Sequence, residues 1–312
     1  MVIVKILRLI IGVACFAGTA NVASAATLEV GEGKTYTSLA AVAAKASDGD
    51  TVRIADGEYF DCGIFRQSNL IIEGTSAEHT VLTDKACGGK ALLVIGGTNV
   101  TVRNITLTRA RVPDDNGAGI RAEGGDLLVD HVRFINNQNG ILSNDGNNTH
   151  IVVRDSYFEK NGICEQYCAH GIYAGHIALL RVEHSVFRNT RQGHHIKSRA
   201  ARTEVVNSDI ADGPDGTASY TIDVSNGGGV LVSGNTLEKG PKSENHGSFI
   251  IVGEEGITQR TPEIVVENNK VTLDGGYPSF LLNNGTATEA KLKGNKLTGS
   301  SLKPLKGDGE VE

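Results

Sequence analysis

The hydrophobic pattern along the chain repeats a short unit, in which an aliphatic residue precedes a larger apolar residue by five positions. Eight copies follow one another at irregular spacings of 23 to 34 residues. The pairs are Val102 and Leu107, Val129 and Phe134, Val153 and Phe158, Val182 and Phe187, Val205 and Ile210, Val232 and Leu237, Val266 and Val271, and Leu292 and Leu297. A period of this length indicates a solenoid with one coil per copy.

A second short apolar segment follows most copies of the unit. Its central residues are Ile120, Ile141, Ile172, Ile196, Ile222 and Ile250. Turns rich in Asn and Gly, such as Asn136-Asn137 and Asn268-Asn269, separate the segments, and Asn tolerates the left-handed backbone that tight turns need. Two or three short strands per coil bury an apolar face only by stacking on neighbouring coils. The pattern therefore predicts an all-β fold, a single-stranded parallel β-helix.

The segment from Tyr36 to Ala46 is rich in alanine and predicts an amphipathic helix, begun by a Thr or Ser cap, that closes one end of the core. A turn, a strand and another turn are predicted next, over residues 49–59. The run from Gly33 to Tyr59 resembles the opening of the pectate-lyase-like superfamily, and the repeats to about Leu297 are similar to its coils. This resemblance implies a right-handed parallel β-helix with an N-terminal capping helix. It implies no single activity, because the superfamily includes lyases, hydrolases, epimerases and adhesins.

The N-terminus has the features of a signal peptide. Lys5 and Arg8 precede an apolar stretch to about Ala20, and Ala23-Ser24-Ala25 offers a cleavage site. We expect residues 1–25 to be removed, leaving one domain over 26–312, with a cap region at 26–60, coils over about 61–300 and a tail at 301–312. The apolar stretch is too short for a membrane anchor. A lipoprotein signal at Cys15 is the other alternative, although Gly12 stands where such signals have a large aliphatic residue. A secreted or periplasmic protein with no membrane span is expected.

The net charge and the number of cysteines limit which classes of partner and which cellular compartment are expected. Cleavage of the signal peptide removes two basic residues and no acidic one, so the formal charge changes from −6 to −8. An acidic protein of this kind is disfavoured as a nucleic-acid binder. Four cysteines remain, and an even number in an exported chain predicts two disulfides. Sequence proximity favours Cys62 with Cys87 and Cys164 with Cys168. A metal site formed by Cys164, Cys168 and His170 is the alternative interpretation.

Period-two alternation predicts which side chains leave the core. If the central isoleucines point inward, their following neighbours point outward. The outward column is then Arg121, Leu142, Tyr173, Lys197, Asp223 and Ile251, flanked by His195 on one side and Arg199 on the other. Tyr173, Lys197 and Asp223 are expected on three consecutive coils, about 4.8 Å apart.

The run from His194 to Arg199 concentrates basic side chains on an acidic protein. Lysine and arginine bind carboxylates well, so Arg199, Arg121 and His194 are candidate contacts for an anionic extracellular polysaccharide. Lys197 is a candidate base that removes the proton next to a uronate carboxylate, with Tyr173 or His195 returning a proton to the leaving oxygen. Such a base needs a lowered pKa, which Arg199 and a protonated His195 would supply and Asp223 would oppose. The function predicted is that of an exported carbohydrate-active protein that binds an acidic polysaccharide, and β-elimination or epimerisation is the chemistry that these residues would allow.

Ile196-Lys197-Ser198 also resembles the Val-Lys-Ser strand of the alginate lyase and chondroitinase B family, which implies the role of base for Lys197. That family has an arginine and then His-Gly on the next coil, where this chain has Asp223-Val224-Ser225. Calcium is implied only by analogy with the family, and no other cofactor or metal is indicated.

Two alternatives remain open from the residues. Hydrolysis by paired carboxylates would use Asp212, Asp215 and Asp223, although Asp212 to Gly216 is typical of a turn. A protein without catalysis, used for glycan recognition or adhesion or as a structural surface protein, would employ Lys197 and Asp223 as a surface ion pair.

Overall fold

The structure, a computed structural model, describes residues 1–2 and 25–312. The predicted signal sequence, residues 1–25, therefore lies outside the described residues except at positions 1, 2 and 25, and so does the lipoprotein alternative at Cys15. Over the described ranges, no helix is long and apolar enough to cross a membrane.

The described chain is a parallel β-solenoid with two main sheets. Sheet A has 20 strands and sheet B has 10. The strands of sheet A are Thr27–Val30, Thr51–Ile54, Gly57–Tyr59, Ile71–Gly74, Thr80–Thr83, Val100–Thr108, Leu127–Ile135, Gly146–Arg154, Tyr157–Glu159, Ile177–Glu183, Val186–Arg188, Arg202–Val206, Asp209–Ala211, Gly229–Ser233, Thr236–Lys239, Ile264–Glu267, Lys270–Leu273, Ala290–Lys293, Lys296–Thr298 and Gly309–Val311. Those of sheet B are Gly63–Phe65, Ala91–Ile95, Ala118–Ala122, Asn139–Ser143, Ile172–Ala174, Ile196–Ser198, Ile222–Val224, Ser248–Val252, Ser279–Asn284 and Leu302–Lys306. A small antiparallel pair, Ile163–Cys164 with Cys168–Ala169, projects from one coil.

The sequence repeat corresponds to the coil, as predicted. All eight aliphatic residues of the unit, from Val102 to Leu292, are register partners in sheet A. The larger apolar residues, from Leu107 to Leu297, form a second ladder beside them. A residue with positive φ bends the chain between the two ladders, for example Asn207 at 48° and Asn268 at 56°. Most coils thus contribute two strands to sheet A and one to sheet B, whereas Val100–Thr108 and Leu127–Ile135 each carry both ladders in one continuous strand.

Stacked side chains fill the interior along the solenoid. Phe134, Phe158 and Phe187 are fully buried, with neighbouring ring centroids 4.5 and 4.4 Å apart. At a bend, the Asn235 amide donates to Asn269 Oδ1 at 3.0 Å. Repetition of the same contact on successive coils satisfies polar groups that turns would otherwise bury unpaired.

The N-terminal helix is shorter than the sequence predicts. It spans Leu39–Ala43, and the Ser38 hydroxyl accepts a hydrogen bond from the Ala41 amide at 3.2 Å. Leu39 and Val42 are fully buried in the main core. The helix contacts the strand Gly63–Phe65 and the first strand of sheet A.

The disulfide pairing that sequence proximity favours is confirmed. Cys62 is bonded to Cys87, and Cys164 is bonded to Cys168. The alternative metal site at Cys164, Cys168 and His170 is wrong, because the two sulfur atoms are bonded to each other.

Candidate functional site

The outward column of sheet B has the predicted register. Arg121 pairs with Leu142, Leu142 with Tyr173, Tyr173 with Lys197, Lys197 with Asp223, and Asp223 with Ile251. Two adjoining depressions, of about 680 and 500 Å3, lie along this column. Both are lined by Tyr173, Arg199 and Asn116, so they form one open groove with Tyr173 near its middle. We call it the sheet B groove.

Lys197 lies at the floor of this groove, with 9% of its side chain exposed. Its ammonium donates to Asp223 Oδ2 at 3.2 Å and to Glu255 Oε1 at 2.5 Å. Burial alone would lower the pKa of Lys197, but Asp223 and Glu255 outweigh it and raise the pKa above its ordinary value. The expected lowering of this pKa is therefore wrong, because the two carboxylates outweigh the effect of burial.

Arg199 follows on the same coil and connects Lys197 to Tyr173. Its Nε donates to the Tyr173 hydroxyl at 3.0 Å, and its terminal nitrogens donate to Asn226 Oδ1 and Glu255 Oε2. The guanidinium carbon and the Lys197 ammonium each lie 5.7 Å from the centre of the Tyr173 ring. One tyrosine hydroxyl and two cations thus meet on adjacent coils.

Asp223 completes the ion pair from the next coil and is only 2% exposed. Its Oδ2 also accepts from the Ser225 hydroxyl at 2.8 Å, whereas Oδ1 is buried and has no hydrogen-bond partner among the described residues. Burial raises the pKa of Asp223, and Lys197 and Ser225 offset this only in part. The ionised form of this buried carboxylate therefore depends on the positive charge of Lys197.

A second column beside the first consists of His170, His194 and Tyr220, which the column prediction did not include. The backbone amide of His194 donates to Nδ1 of His170 at 2.9 Å, and that of Tyr220 donates to Nδ1 of His194 at 3.1 Å. The two imidazoles stack with centroids 4.8 Å apart. Burial, followed by neighbouring positive charges, holds the pKa of both histidines well below the ordinary value. Both rings are therefore neutral, with the proton on Nε2.

The signal for this column is in the sequence, because each member stands two residues before a central isoleucine: Ile172, Ile196 or Ile222. His194, a predicted substrate contact, lines the groove, and its Nε2 lies 3.4 Å from Asp223 Oδ2.

His195 does not flank the outward column, contrary to expectation. It is fully buried, and its ring bonds Thr190 and Asp212 at 2.8 Å each. The strand begins only at Ile196, and the bend before it reverses the alternation, so His194 rather than His195 faces the groove. Alternation applies only within an extended strand.

The three aspartates of the hydrolase alternative do not converge. Asp212 is buried against His195, and its second oxygen accepts from the Gly240 amide at 3.1 Å. Asp215 is on the surface and pairs with Lys242 at 2.7 Å. Only Asp223 of the three reaches the Lys197 ammonium in the groove.

Arg121 lies at the far end of the groove, where it donates to Asn144 Oδ1 at 2.8 Å. A possible metal cluster was found elsewhere among the described residues, at Asp130, His131 and Asp155 on the sheet A bend. Asp130 there is already paired with Arg154 at 2.7 Å, and calcium requires six to eight oxygen ligands. This cluster gives no support to the calcium analogy.

At least one protein of known structure shares this architecture. A search of the curated proteins finds no match. Among solved structures, an alginate lyase from Paenibacillus sp. str. FPU-7 is similar, with 17% identity, a TM-score of 0.62, and coverage of 92% of this chain and 99% of that one. A pectin methylesterase from Aspergillus niger has 10% identity and a TM-score of 0.49, covering 92% and 91%. The mannuronan C-5 epimerase A-module from Azotobacter vinelandii has 13% identity and a TM-score of 0.40, covering 87% and 94%.

The family described as right handed beta helix region matches residues 54–210 and 165–309. These two matches together span most of the chain and agree with the parallel coils of the structure. The chain therefore belongs to the right-handed β-helix family.

Proposed function

We propose that this chain is an exported protein that binds an acidic polysaccharide along the sheet B groove and cleaves it by β-elimination. The observation that carries the proposal is the meeting of the Tyr173 hydroxyl, the Lys197 ammonium and the Arg199 guanidinium in an open groove. The signal-like N-terminus and the two disulfides support export, since disulfides persist in oxidising compartments. The similarity to a structure named as an alginate lyase supports a polysaccharide as the ligand.

The reaction requires two proton transfers at a uronate residue of the polymer. Arg199 holds the carboxylate and withdraws charge from it, which makes the proton on C5 more acidic. Lys197 Nζ in its neutral form takes that proton, and the electrons of the C5–H bond form a C4=C5 double bond. The C4–O4 bond breaks, and the Tyr173 phenol donates its proton to the departing O4. Proton exchange with solvent restores both side chains.

Lys197 must lose its own proton before it can act as the base. Asp223 and Glu255 raise its pKa, so the neutral form is a small fraction at neutral pH and grows as the solution becomes alkaline. The neutral His170 and His194 cannot replace it, because each Nδ1 accepts a backbone amide and each Nε2 carries a proton.

The purified protein, incubated with alginate, pectate and glycosaminoglycans, tests the proposal through the ultraviolet absorbance of the unsaturated product. We expect one of these polymers to yield product, and we expect Lys197→Ala and Tyr173→Phe each to lower the rate by roughly 100-fold or more. Tyr157→Phe on sheet A is the matched control and should leave the rate unchanged. Full activity in Lys197→Ala, or no product from any polymer, contradicts the proposal. Deuterium uptake at C5 without unsaturated product would indicate epimerisation instead.

Glycan recognition without turnover is the second candidate. It is favoured by the pairing of Lys197 and Arg199 with carboxylates, which keeps both cations charged. Binding to a glycan array with no absorbance change from the same glycans would support this candidate. Product formation that depends on Lys197 would exclude it.

A further inference from the structure

Glu255 places its carboxylate across the two cations of the sheet B groove. One oxygen accepts from Lys197 Nζ at 2.5 Å, and the other accepts from Arg199 Nη2. The Glu255 side chain is 39% exposed, whereas those of Lys197 and Arg199 are 9% and 19% exposed. The carboxylate therefore covers the cations from the solvent side, where a polymer would approach.

The backbone that carries Glu255 is fixed to the coil below it. The Glu255 amide donates to the Ser225 carbonyl at 3.0 Å, and the Gln259 amide donates to the Asn226 carbonyl at 2.9 Å. The Gln259 side chain also donates to the Arg199 carbonyl at 3.3 Å. Only the side chain of Glu255 has to rotate to uncover the cations.

The cations keep their positions without Glu255. Tyr173 accepts from Nε of Arg199 and Asn226 accepts from Nη1, so the plane of the guanidinium is fixed by two other partners. Asp223 holds the Lys197 ammonium from below. Departure of Glu255 thus leaves a preorganised pair of cations whose free donors face the groove.

A planar carboxylate matches these donors, because Nη2 of Arg199 and the adjacent Lys197 ammonium each bind one of its oxygens, as they do with Glu255. We propose that Lys197 and Arg199 form a carboxylate subsite, which Glu255 fills in the free protein and which a uronate of the polymer takes by displacing that side chain. In the proposed cleavage, Arg199 keeps the carboxylate when Lys197 loses its own proton and becomes the base. The inference rests on the proposed function in taking an acidic polysaccharide as the occupant of the groove. It restricts the ligand to sugars that carry a carboxylate at this position.

The charge of Glu255 supports this competition. Burial would raise the pKa of Glu255, but Lys197 and Arg199 outweigh it and hold the pKa below the ordinary value. Glu255 is therefore ionised throughout the neutral range, and every uronate that binds must displace an anion of its own kind. An uncharged side chain of the same shape should compete less well.

Uronate monosaccharides provide the test, because they have no sugar on O4 and are not consumed. The full chain and its Glu255→Gln and Glu255→Ala variants are titrated with methyl mannuronoside and methyl galacturonoside, with binding followed by ligand NMR. Circular dichroism checks that each variant is folded. We expect roughly tenfold tighter binding of at least one uronate by both variants. Methyl mannoside and methyl galactoside, which lack the carboxylate, should show no gain.

Glu263→Gln is the matched control, since Glu263 pairs with Arg202 on sheet A at 2.7 Å and lies outside the groove. It should bind as the wild type does. Unchanged, weaker or absent uronate binding in the folded Glu255 variants overturns the carboxylate subsite. An equal gain for the neutral sugars overturns it as well. If either of these results is obtained while the wild type forms unsaturated product, the carboxylate subsite is wrong and the proposed cleavage still stands. If the Glu255 variants bind a uronate more tightly but no polymer yields product, the subsite stands and the proposed cleavage does not.

Discussion

Replacing Lys197 by methionine removes the cation on which the buried Asp223 depends. Asp223 is 2% exposed, and its remaining partner for a direct hydrogen bond is the Ser225 hydroxyl. Breaking a buried ion pair from one side typically costs about 3–5 kcal/mol, because the other charge is left uncompensated. Protonation of Asp223 limits the loss, so we expect about 3 kcal/mol less free energy of unfolding at pH 7.

Asp223→Asn is the matched variant from the other side of the pair. Lys197 keeps Glu255 at 2.5 Å and reaches solvent with 9% of its side chain, so its charge stays compensated. We expect a cost of about 1 kcal/mol or less. The double variant should lose less stability than the sum of the two single variants, because neither charge then remains buried alone.

The cost of Lys197→Met should also depend on pH. Burial raises the pKa of Asp223, and removing Lys197 raises it further. When folding raises the pKa of a carboxyl group, the contribution of that group to stability is fully present at pH values below its unfolded-state pKa of about 4. The contribution is lost as the pH rises through the folded-state pKa. The variant should therefore lose less stability, relative to the wild type, at pH 4 than at pH 7.

Urea denaturation followed by circular dichroism at both pH values measures these differences. A loss below about 1 kcal/mol at pH 7 for Lys197→Met would refute the reasoning. A cost that is equal at the two pH values would refute it too, since protonation of Asp223 would then have no part in the effect.

Three further predictions concern the groove and the core. In the wild type, kcat/KM should rise with pH as Lys197 loses its proton, and Asp223→Asn should move this rise to lower pH because a carboxylate that raises the pKa of Lys197 is gone. If the rise stays at the same pH, Lys197 is not the base. Tyr167 is 65% exposed at the groove rim, so Tyr167→Ala should raise KM several-fold with kcat unchanged, and an unaltered KM would remove it from the binding surface. Phe158→Ala should cost about 3–5 kcal/mol in urea denaturation, since its ring packs between two others, whereas the outward Tyr157→Ala should cost much less; similar losses would contradict the stacked core.

The coils were predictable because the same hydrophobic unit recurs on each one. Val129 and Phe134 repeat the spacing of Val102 and Leu107, and in the structure these residues are register partners. The outward column of sheet B followed from the same logic, since one residue after each central isoleucine is always on the same face. The bends were also predictable where asparagine takes positive φ, as Asn136 does at 57°.

The details of the site depended on contacts between distant parts of the chain. Glu255 is 58 residues from Lys197 and lies in a connecting segment whose path no repeat predicts. Its carboxylate, with that of Asp223, reverses the direction expected for the pKa of Lys197. The burial of His195 depended on a bend of a single residue before the strand, which period-two alternation does not describe.

The most direct test of the account is whether Arg199 governs the binding of an acidic polymer. Oligosaccharides of alginate and pectate are titrated by calorimetry into the wild type, Arg199→Ala and a matched control, Arg188→Ala. The titrations are done at pH 6, where Lys197 is protonated and the proposed cleavage is suppressed. Arg188 pairs with Asp209 on sheet A at 2.5 Å, outside the groove. The account predicts that the wild type and Arg188→Ala bind one of these ligands with equal affinity and that Arg199→Ala binds it at least about tenfold more weakly. Equal affinity in all three proteins would contradict the placement of the ligand in the sheet B groove.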